Sequence, residues 1–258
     1  MNIVVCLKMV PDTVEELEVA ADNKSLDSQF LRFKLSDPDE HALEQALLLK
    51  EKHGCTVTAV ALDAPEVDDV LFTALAKGAT RAVKIGGDWS GLQSFGAARI
   101  MASFLVPPGQ SLAGDTLVMV RSQAIDDLEG EVAPYLADLL GIPYIGVVTG
   151  ITIEGQGMVV TKEFAGGLRG EFALSLPAVL GIQSAEKPPR YVPIAKVRAV
   201  MKSAKIETIE VPPPDSLGLY PVDRMYKPEA SGRAQMLEGS PEEVADKIVE
   251  VLAKQSLI

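Results

Sequence analysis

The chain has 258 residues, enough for one large α/β domain or a domain with an appendage. A net charge of −12 argues against sequence-independent binding to nucleic acid or to an anionic membrane, since both need a cationic face. The two cysteines, Cys6 and Cys55, form neither a disulfide framework nor a metal-ligand spacing, which points to a reducing, cytoplasmic setting. There is no run of about 18 apolar residues, so no membrane span is expected. The opening MNIVVCLKMVPD reads as a first strand rather than a secretory signal.

Asn2 to Leu7 is β-branched and aliphatic, and Lys8 to Asp12 leaves that strand at its carboxyl end. On residue type alone Cys6 is a small core residue. Thr13 to Lys34 is polar and irregular, with a turn at Asn23-Lys24 and room for a hairpin. Ser36 or Asp37 can cap a helix that has Pro38 at its first position and acids in its first turn. Ala42, Leu43, Ala46, Leu47 and Leu49 mark its apolar face. His41 has no catalytic partners in the sequence and reads as a surface histidine. Cys55 to Leu62 is a strand, Glu66 to Lys77 a helix ended by Gly78, Ala82 to Ile85 a strand and Ser94 to Leu105 a helix.

Asp115 to Pro143 is the most informative stretch. DTLVMV is a short apolar run suited to a parallel strand covered on both faces. RSQAIDD follows at its carboxyl end. Asp126 or Asp127 can cap the helix that Val132, Leu136, Leu139 and Leu140 trace, and Gly141-Ile142-Pro143 stops it. In an open α/β sheet, ligands bind in the crevice beyond such strand ends, often with an anionic group on a helix N-terminus.

Tyr144 to Val148 is another strand, and Glu154 to Gly157 turns the chain into Met158 to Lys162. A glycine turn at Gly166-Gly167 closes a two-strand β-ribbon, and the chain returns through Pro177 to a buried strand at Ala178 to Leu180. Past Gly181, Lys187 to Ile194 and Pro212 to Pro214 are linker-like, and Lys196, Arg198, Lys202 and Lys205 form the one basic stretch. Ser240 caps a closing helix from Pro241 to Ala253. Tyr191, Ile194, Met225, Tyr226 and Met236 are too apolar for a purely solvated tail. Strands alternating with helices predict a mostly parallel sheet with helices on both faces. The composition divides the chain into a domain over residues 1–186 and an arm over 187–258. No Ser/His/Asp or Cys/His arrangement, P-loop or metal cluster is evident, so no independent catalytic centre and no metal are expected.

Several stretches, in order, resemble the β-subunit of electron transfer flavoproteins. Ser122-Gln123-Ala124-Ile125-Asp126-Asp127 is similar to that family's Gly-Lys/Arg-Gln-Ala-Ile-Asp loop. The opening strand into Lys8 resembles Val/Cys-x-Lys-x-Val-x-Asp. Asp39 to Glu44 follows the Asp-Glu-x-Ala-Leu-Glu run, although Ser36-Asp37-Pro38 stands where Asn-Pro-aromatic is usual. Thr73 to Ala82 resembles Ala-Leu-Ala-x-Gly-Ala-Asp-Arg-Ala. Glu163 to Leu180 matches the Glu-x-Asp-Gly-Gly and Pro-Ala-Val signature, with Ala165 in place of the acid.

The resemblance implies a Rossmann-like sheet of the adenine nucleotide α-hydrolase-like type, with a β-ribbon and an extended C-terminal arm. It implies a structural AMP in this chain and an FAD held mainly by an α-subunit in an obligate heterodimer. Electrons would come from dehydrogenases and pass to a downstream acceptor. The adenine would lie between Cys6, Leu7 and Lys8, the turn Ser36, Asp37, Pro38, Asp39 and Glu40, and Asp63. The loop Ser122, Gln123, Ala124, Ile125, Asp126 and Asp127 would complete the site. The phosphate would meet backbone N–H groups around Leu128, Glu129, Gly130, Glu131 and Val132. Arg190, Tyr191 and Ile194 would form a recognition loop for dehydrogenases, and Arg224, Tyr226 and Arg233 an arm around the α-subunit. One alternative is a flavin-bifurcating member, with its own FAD in the AMP position and NADH as donor. Another is a stand-alone nucleotide-binding sensor.

Overall fold

The computed structural model describes residues 1–29, 31–155, 157–214, 216, 218–228, 234 and 236–258. They divide into two compact units, Met1–Met225 and Tyr226–Ile258.

The first unit is built on a sheet whose strands, in chain order, are β1 (Asn2–Leu7), β4 (Thr56–Leu62), β5 (Arg81–Gly86), β6 (Thr116–Arg121), β7 (Tyr144–Glu154), β8 (Gly157–Glu163), β9 (Arg169–Ser175), β10 (Ala178–Ile182) and β11 (Glu207–Glu210). Across the sheet the order is β11-β5-β4-β1-β6-β10-β7-β8-β9. The strands from β11 to β7 pair in parallel, and β8 and β9 add an antiparallel ribbon. A separate short antiparallel pair joins β2 (Met9–Pro11) to β3 (Phe33–Leu35). The fold class expected from the alternating pattern is the one observed.

Alternate residues of the central strands feed two cores. Ile3, Val5 and Leu7 face α1 (Asp37–His53) and α2 (Val67–Lys77), where Leu43, Leu47 and Leu71 are buried. Cys6, Val118 and Val120 face α3 (Ser94–Leu105) and α4 (Val132–Leu140), burying Ile100 and Leu136. Strands covered on both sides must be apolar at every position, which is why β6 is buried throughout. Cys6 is a core residue, as its type suggests.

The chain runs outward from β1 to β4 and β5, then returns to β6 on the other side of β1. The strand order therefore reverses between β1 and β6, and their carboxyl ends open a crevice there.

Three local expectations change. Ser36 occupies the N-cap of α1, but its hydroxyl makes no capping bond. Neither Asp126 nor Asp127 caps α4, which begins at Val132 behind Glu131. The intervening residues form a separate turn, because both carboxylates are drawn to cations elsewhere. Beyond the presumed linker, α5 (Ile194–Ser203) packs beside α2, and β11 extends the sheet on β5, where Arg81 grips Glu207 at 2.6 and 3.0 Å.

The second unit contains α6 (Pro241–Lys254). Its capping box is the one that Ser240 predicts: Glu243 N–H donates to Ser240 Oγ at 3.3 Å, and Ser240 N–H donates to Glu243 Oε2 at 2.8 Å.

Candidate functional site

A cavity of about 750 Å³ lies at the carboxyl ends of β1, β4, β5 and β6. Ligand sites commonly span about 300–1,000 Å³, so its size suits a nucleotide. Cys6, Leu7 and Lys8 form one wall, Asp63 a second, and Asp126 and Val132 a third. A second cavity of about 270 Å³ is lined by Ser36, Asp37, Pro38, Gln123, Ala124, Ile125 and Leu128. The residues expected around one nucleotide thus fall into two groups.

Arg121 lines the large cavity, and the loop and helix start that line the second one carry its acidic partners. Arg121 ends β6 and is buried, with Nη1 3.7 Å from Asp39 Oδ2 and Nη2 3.9 Å from Asp127 Oδ2. Asp39, in the first turn of α1, also accepts from the Lys8 backbone N–H at 3.0 Å. Lys8 Nζ in turn donates to Asp126 Oδ1 at 2.6 Å. A buried guanidinium is tolerated only when paired, and these carboxylates supply the pairing. Burial nonetheless pushes the Asp39 carboxyl up to about 6, against the opposing pull of Arg121 and the Lys8 N–H. Burial also lowers the Lys8 ammonium, with Arg121 adding to it. The Cys6 thiol is pushed up to about 12 by burial, then by Asp39, so it is no thiolate nucleophile at neutral pH.

This cluster is polar, buried and incompletely bonded. Ser36 Oγ, Asp39 Oδ1, Arg121 Nε and Asp127 Oδ2 have no hydrogen-bond partner within the protein. Buried polar atoms are rarely left so, and ordered water or a neighbouring polar ligand can complete them. Lys8 and Arg121 are paired with carboxylates, which leaves backbone N–H groups as further donors to an anionic ligand. The first turn of α4 offers such donors at Val132 and Ala133, which have no intrahelical acceptor. Glu129 and Glu131 are exposed, which takes their charge toward solvent.

The turn that presents these donors depends on Gly130. Its φ is +66°, and a Cβ there would lie 2.1 Å from the Ser122 carbonyl oxygen. The turn is otherwise closed by mutual N–H to C=O bonds between Ala124 and Asp127 at 3.1 Å. Ser122 Oγ donates to Gln183 Oε1 at 2.6 Å, tying the loop to the end of β10. Glu40 stands apart: its carboxylate reaches Lys77 at 3.8 Å.

Two contributors go unnoticed in the sequence. Arg121 follows DTLVMV directly, and a cation ending a fully buried strand is a signal that it meets an acid. The other is the loop Gly87–Gln93 after β5, which lines the large cavity with Trp89, as do Met101 and Phe33. Its glycine pair after an apolar strand is the available sign. Trp89 Nε1 donates to the Ile85 carbonyl at 3.0 Å, and the ring covers Gly87, where a Cβ would lie 2.5 Å away.

Of the expected partner-contact residues, Tyr191 is 82% and Ile194 65% exposed, immediately before and at the start of α5. Arg190 instead turns inward to Glu44 and Glu51. Arg224 lies one residue before the end of the first unit and Tyr226 opens the second, exposed. Arg233 lies outside the described residues. Among the described residues no helix is long and apolar enough to cross a membrane.

Replacing Gly130 by alanine is expected to destabilise the fold by about 1–3 kcal/mol, the cost of a strained backbone position with no room to relax. Gly109, at φ +79° with open space around it, is the control, and Gly109→Ala should cost less in the same denaturant titration. A second expectation concerns pH. Because the Asp39 carboxyl is raised from 3.8 to about 6, the fold favours its protonated form. Its contribution to stability is present in full below the ordinary value and is lost as pH rises through about 6. Thermal melts between pH 4 and pH 7 should therefore show the parent losing stability relative to Asp39→Asn as pH rises.

Residues 26–216 match the family profile of the electron transfer flavoprotein domain. The chain is 30% identical to "Electron transfer flavoprotein subunit beta" of Methylophilus methylotrophus, over 98% of each chain. It is 29% identical to the protein of that name from Clostridium acetobutylicum, over 100% of each chain. It is also 27% identical to "Acryloyl-CoA reductase electron transfer subunit gamma" of Anaerotignum propionicum, over 100% of each chain. A cavity at the switch point of a Rossmann-like sheet, a profile match over most of the chain and full-length likeness to β-subunits agree: this chain belongs to the electron transfer flavoprotein β-subunit family.

Proposed function

We propose that this chain is the non-catalytic half of a heterodimeric electron carrier, with AMP in its large cavity and an FAD held mainly by an α-subunit. The observation that carries this reading is the charge pairing beside the cavity. Lys8 is bound to Asp126, and Arg121 lies between Asp39 and Asp127. Such a site is built to hold a ligand in place rather than to move protons or attack bonds. Redox chemistry belongs to the flavin, which accepts and returns electrons when bound.

In this reading the adenine lies against Cys6, Leu7 and Lys8, with Asp63 beside it, and the phosphate meets the N–H groups of Leu128 to Val132. Val132 brings no hydroxyl to the phosphate, a loss of about 0.5–1.5 kcal/mol for one neutral hydrogen bond, too little to abolish the site. The second cavity and the exposed Ile125 and Leu128 face the α-subunit's flavin domain, and Arg224 and Tyr226 belong to an arm that contacts the α-subunit. Exposed Tyr191 and Ile194, followed by the basic face of α5, dock donor dehydrogenases. An apolar anchor with cations behind it fits an apolar pocket with an acidic rim.

A second reading has one observation in its favour. The large cavity, at about 750 Å³, is also lined by Gly87–Gln93 and Met101, more room than a mononucleotide needs. FAD in this chain, with NADH as donor in a bifurcating complex, would use that room. The reductase-associated relatives, including "Caffeyl-CoA reductase-Etf complex subunit CarD" of Acetobacterium woodii at 26% identity, are compatible with it.

Quantifying the nucleotides released from the denatured complex, purified with its co-expressed α-chain, separates the two. One FAD and one AMP per heterodimer is the expected result. Two FAD and no AMP would replace the first reading by the second, and no bound nucleotide would overturn both.

A further inference from the structure

The polar residues of α1 that do not serve the cavity form a stripe. His41, Glu44 and Gln45 follow at helical spacing, and Glu51 lies two turns beyond Glu44. Glu44 is 3% and Gln45 1% exposed, in a helix whose other buried positions are largely apolar. A buried carboxylate is costly, and an apolar residue would serve the core better, so its placement calls for a specific partner.

That partner is the segment leaving β10. The Ala185 N–H donates to His41 Nδ1 at 3.2 Å, and the Glu186 N–H donates to Gln45 Oε1 at 2.9 Å. Gln45 Nε2 returns a bond to Glu186 Oε1 at 3.1 Å. Four residues later, the Arg190 N–H donates to Glu44 Oε2 at 3.0 Å. The Arg190 guanidinium closes on the same carboxylate, from Nη2 at 2.7 Å and Nε at 2.9 and 3.0 Å, while Nη1 reaches Glu51. His41 is therefore no free surface histidine. Arg190 is the last point fixed to α1 before the exposed Tyr191, and the next backbone bonds belong to α5 itself.

We infer that Glu44 and Arg190 are positioning residues, which hold the docking loop Tyr191–Ile194 in the geometry its partner accepts. The inference rests on the docking role proposed above. The partner is an electron-donating dehydrogenase that receives the exposed aromatic and aliphatic side chains in an apolar pocket. Bidentate guanidinium–carboxylate geometry suits this task, because it fixes orientation as well as distance. Without it, the nearest tether to α1 before the loop would be at Glu186, and the loop's ordering would be left to the docking event.

The test uses the whole heterodimer and steady-state reduction by a donor dehydrogenase. Glu44 is buried beneath the loop and cannot touch a docked protein, so Glu44→Gln separates positioning from direct contact. Glu44→Gln and Arg190→Ala should each raise the KM for dehydrogenase about tenfold, the scale of lost preorganisation of a few side chains, with kcat nearly unchanged. Arg190→Lys, which keeps the charge and loses the fork, should recover part of the effect. Exposed Glu51→Gln, with little risk to folding, should raise KM by a smaller factor. Tyr191→Ala and Ile194→Ala report on the docking role alone. If these two raise KM while Glu44→Gln and Glu51→Gln do not, the positioning inference is overturned and the docking surface stands. A rise for Arg190→Ala alone would mean direct contact and would also overturn it. If neither Tyr191→Ala nor Ile194→Ala changes KM, the docking reading itself fails.

Discussion

A buried guanidinium sets the geometry of this protein's ligand site. Arg121 sits at the end of a strand covered on both faces, where an unpaired charge would cost several kcal/mol. Two demands follow. The first turn of α1 must bring Asp39 to the end of β6, which fixes that helix against β1 and orders the Lys8 backbone through the same carboxylate. The loop after β6 must bring Asp127 back, which delays α4 until Val132 and gives the chain the tight turn that only Gly130 allows. The free N–H groups at the start of α4 and the wall formed by Lys8 are thus set by one charge and its partners.

α1 carries this order in a second direction. Its N-terminal turn lines the smaller cavity, its apolar side packs on β1 and β4, and its polar stripe grips the chain that follows β10. A helix with buried polar positions would be a weak choice for stability alone. It is understandable as an element that defines three surfaces at once.

Much of the architecture is legible in the residues, because periodicity reports burial. The alternation of apolar strands with amphipathic helices is enough for the sheet and its covered faces. The likeness of short stretches to a known family points to the ligand class and to the chain's subunit role. What escapes the sequence is pairing at a distance. Nothing local tells that Asp127 serves Arg121 rather than capping α4, or that His41 and Gln45 receive a segment more than a hundred residues away. β11 is hidden because four residues of mixed polarity on a sheet edge carry little apolar pattern. Trp89 is hidden because its loop is recognised as part of a cavity only once β5 stands beside β4.

The most direct measurement is the AMP and FAD content of the heterodimer carrying Arg121→Met, purified and denatured alongside the parent. Methionine approximates the length of arginine without its charge, so Asp39 and Asp127 lose their common partner while the core remains filled. The account predicts that the folded variant, still paired with its α-chain, retains less than about a tenth of the parent's nucleotide in the β-chain site, as expected when a buried charge pair worth about 3–5 kcal/mol is broken. A folded variant with the parent's full complement would contradict it, and would show that the cavity keeps its shape without the charge at its centre.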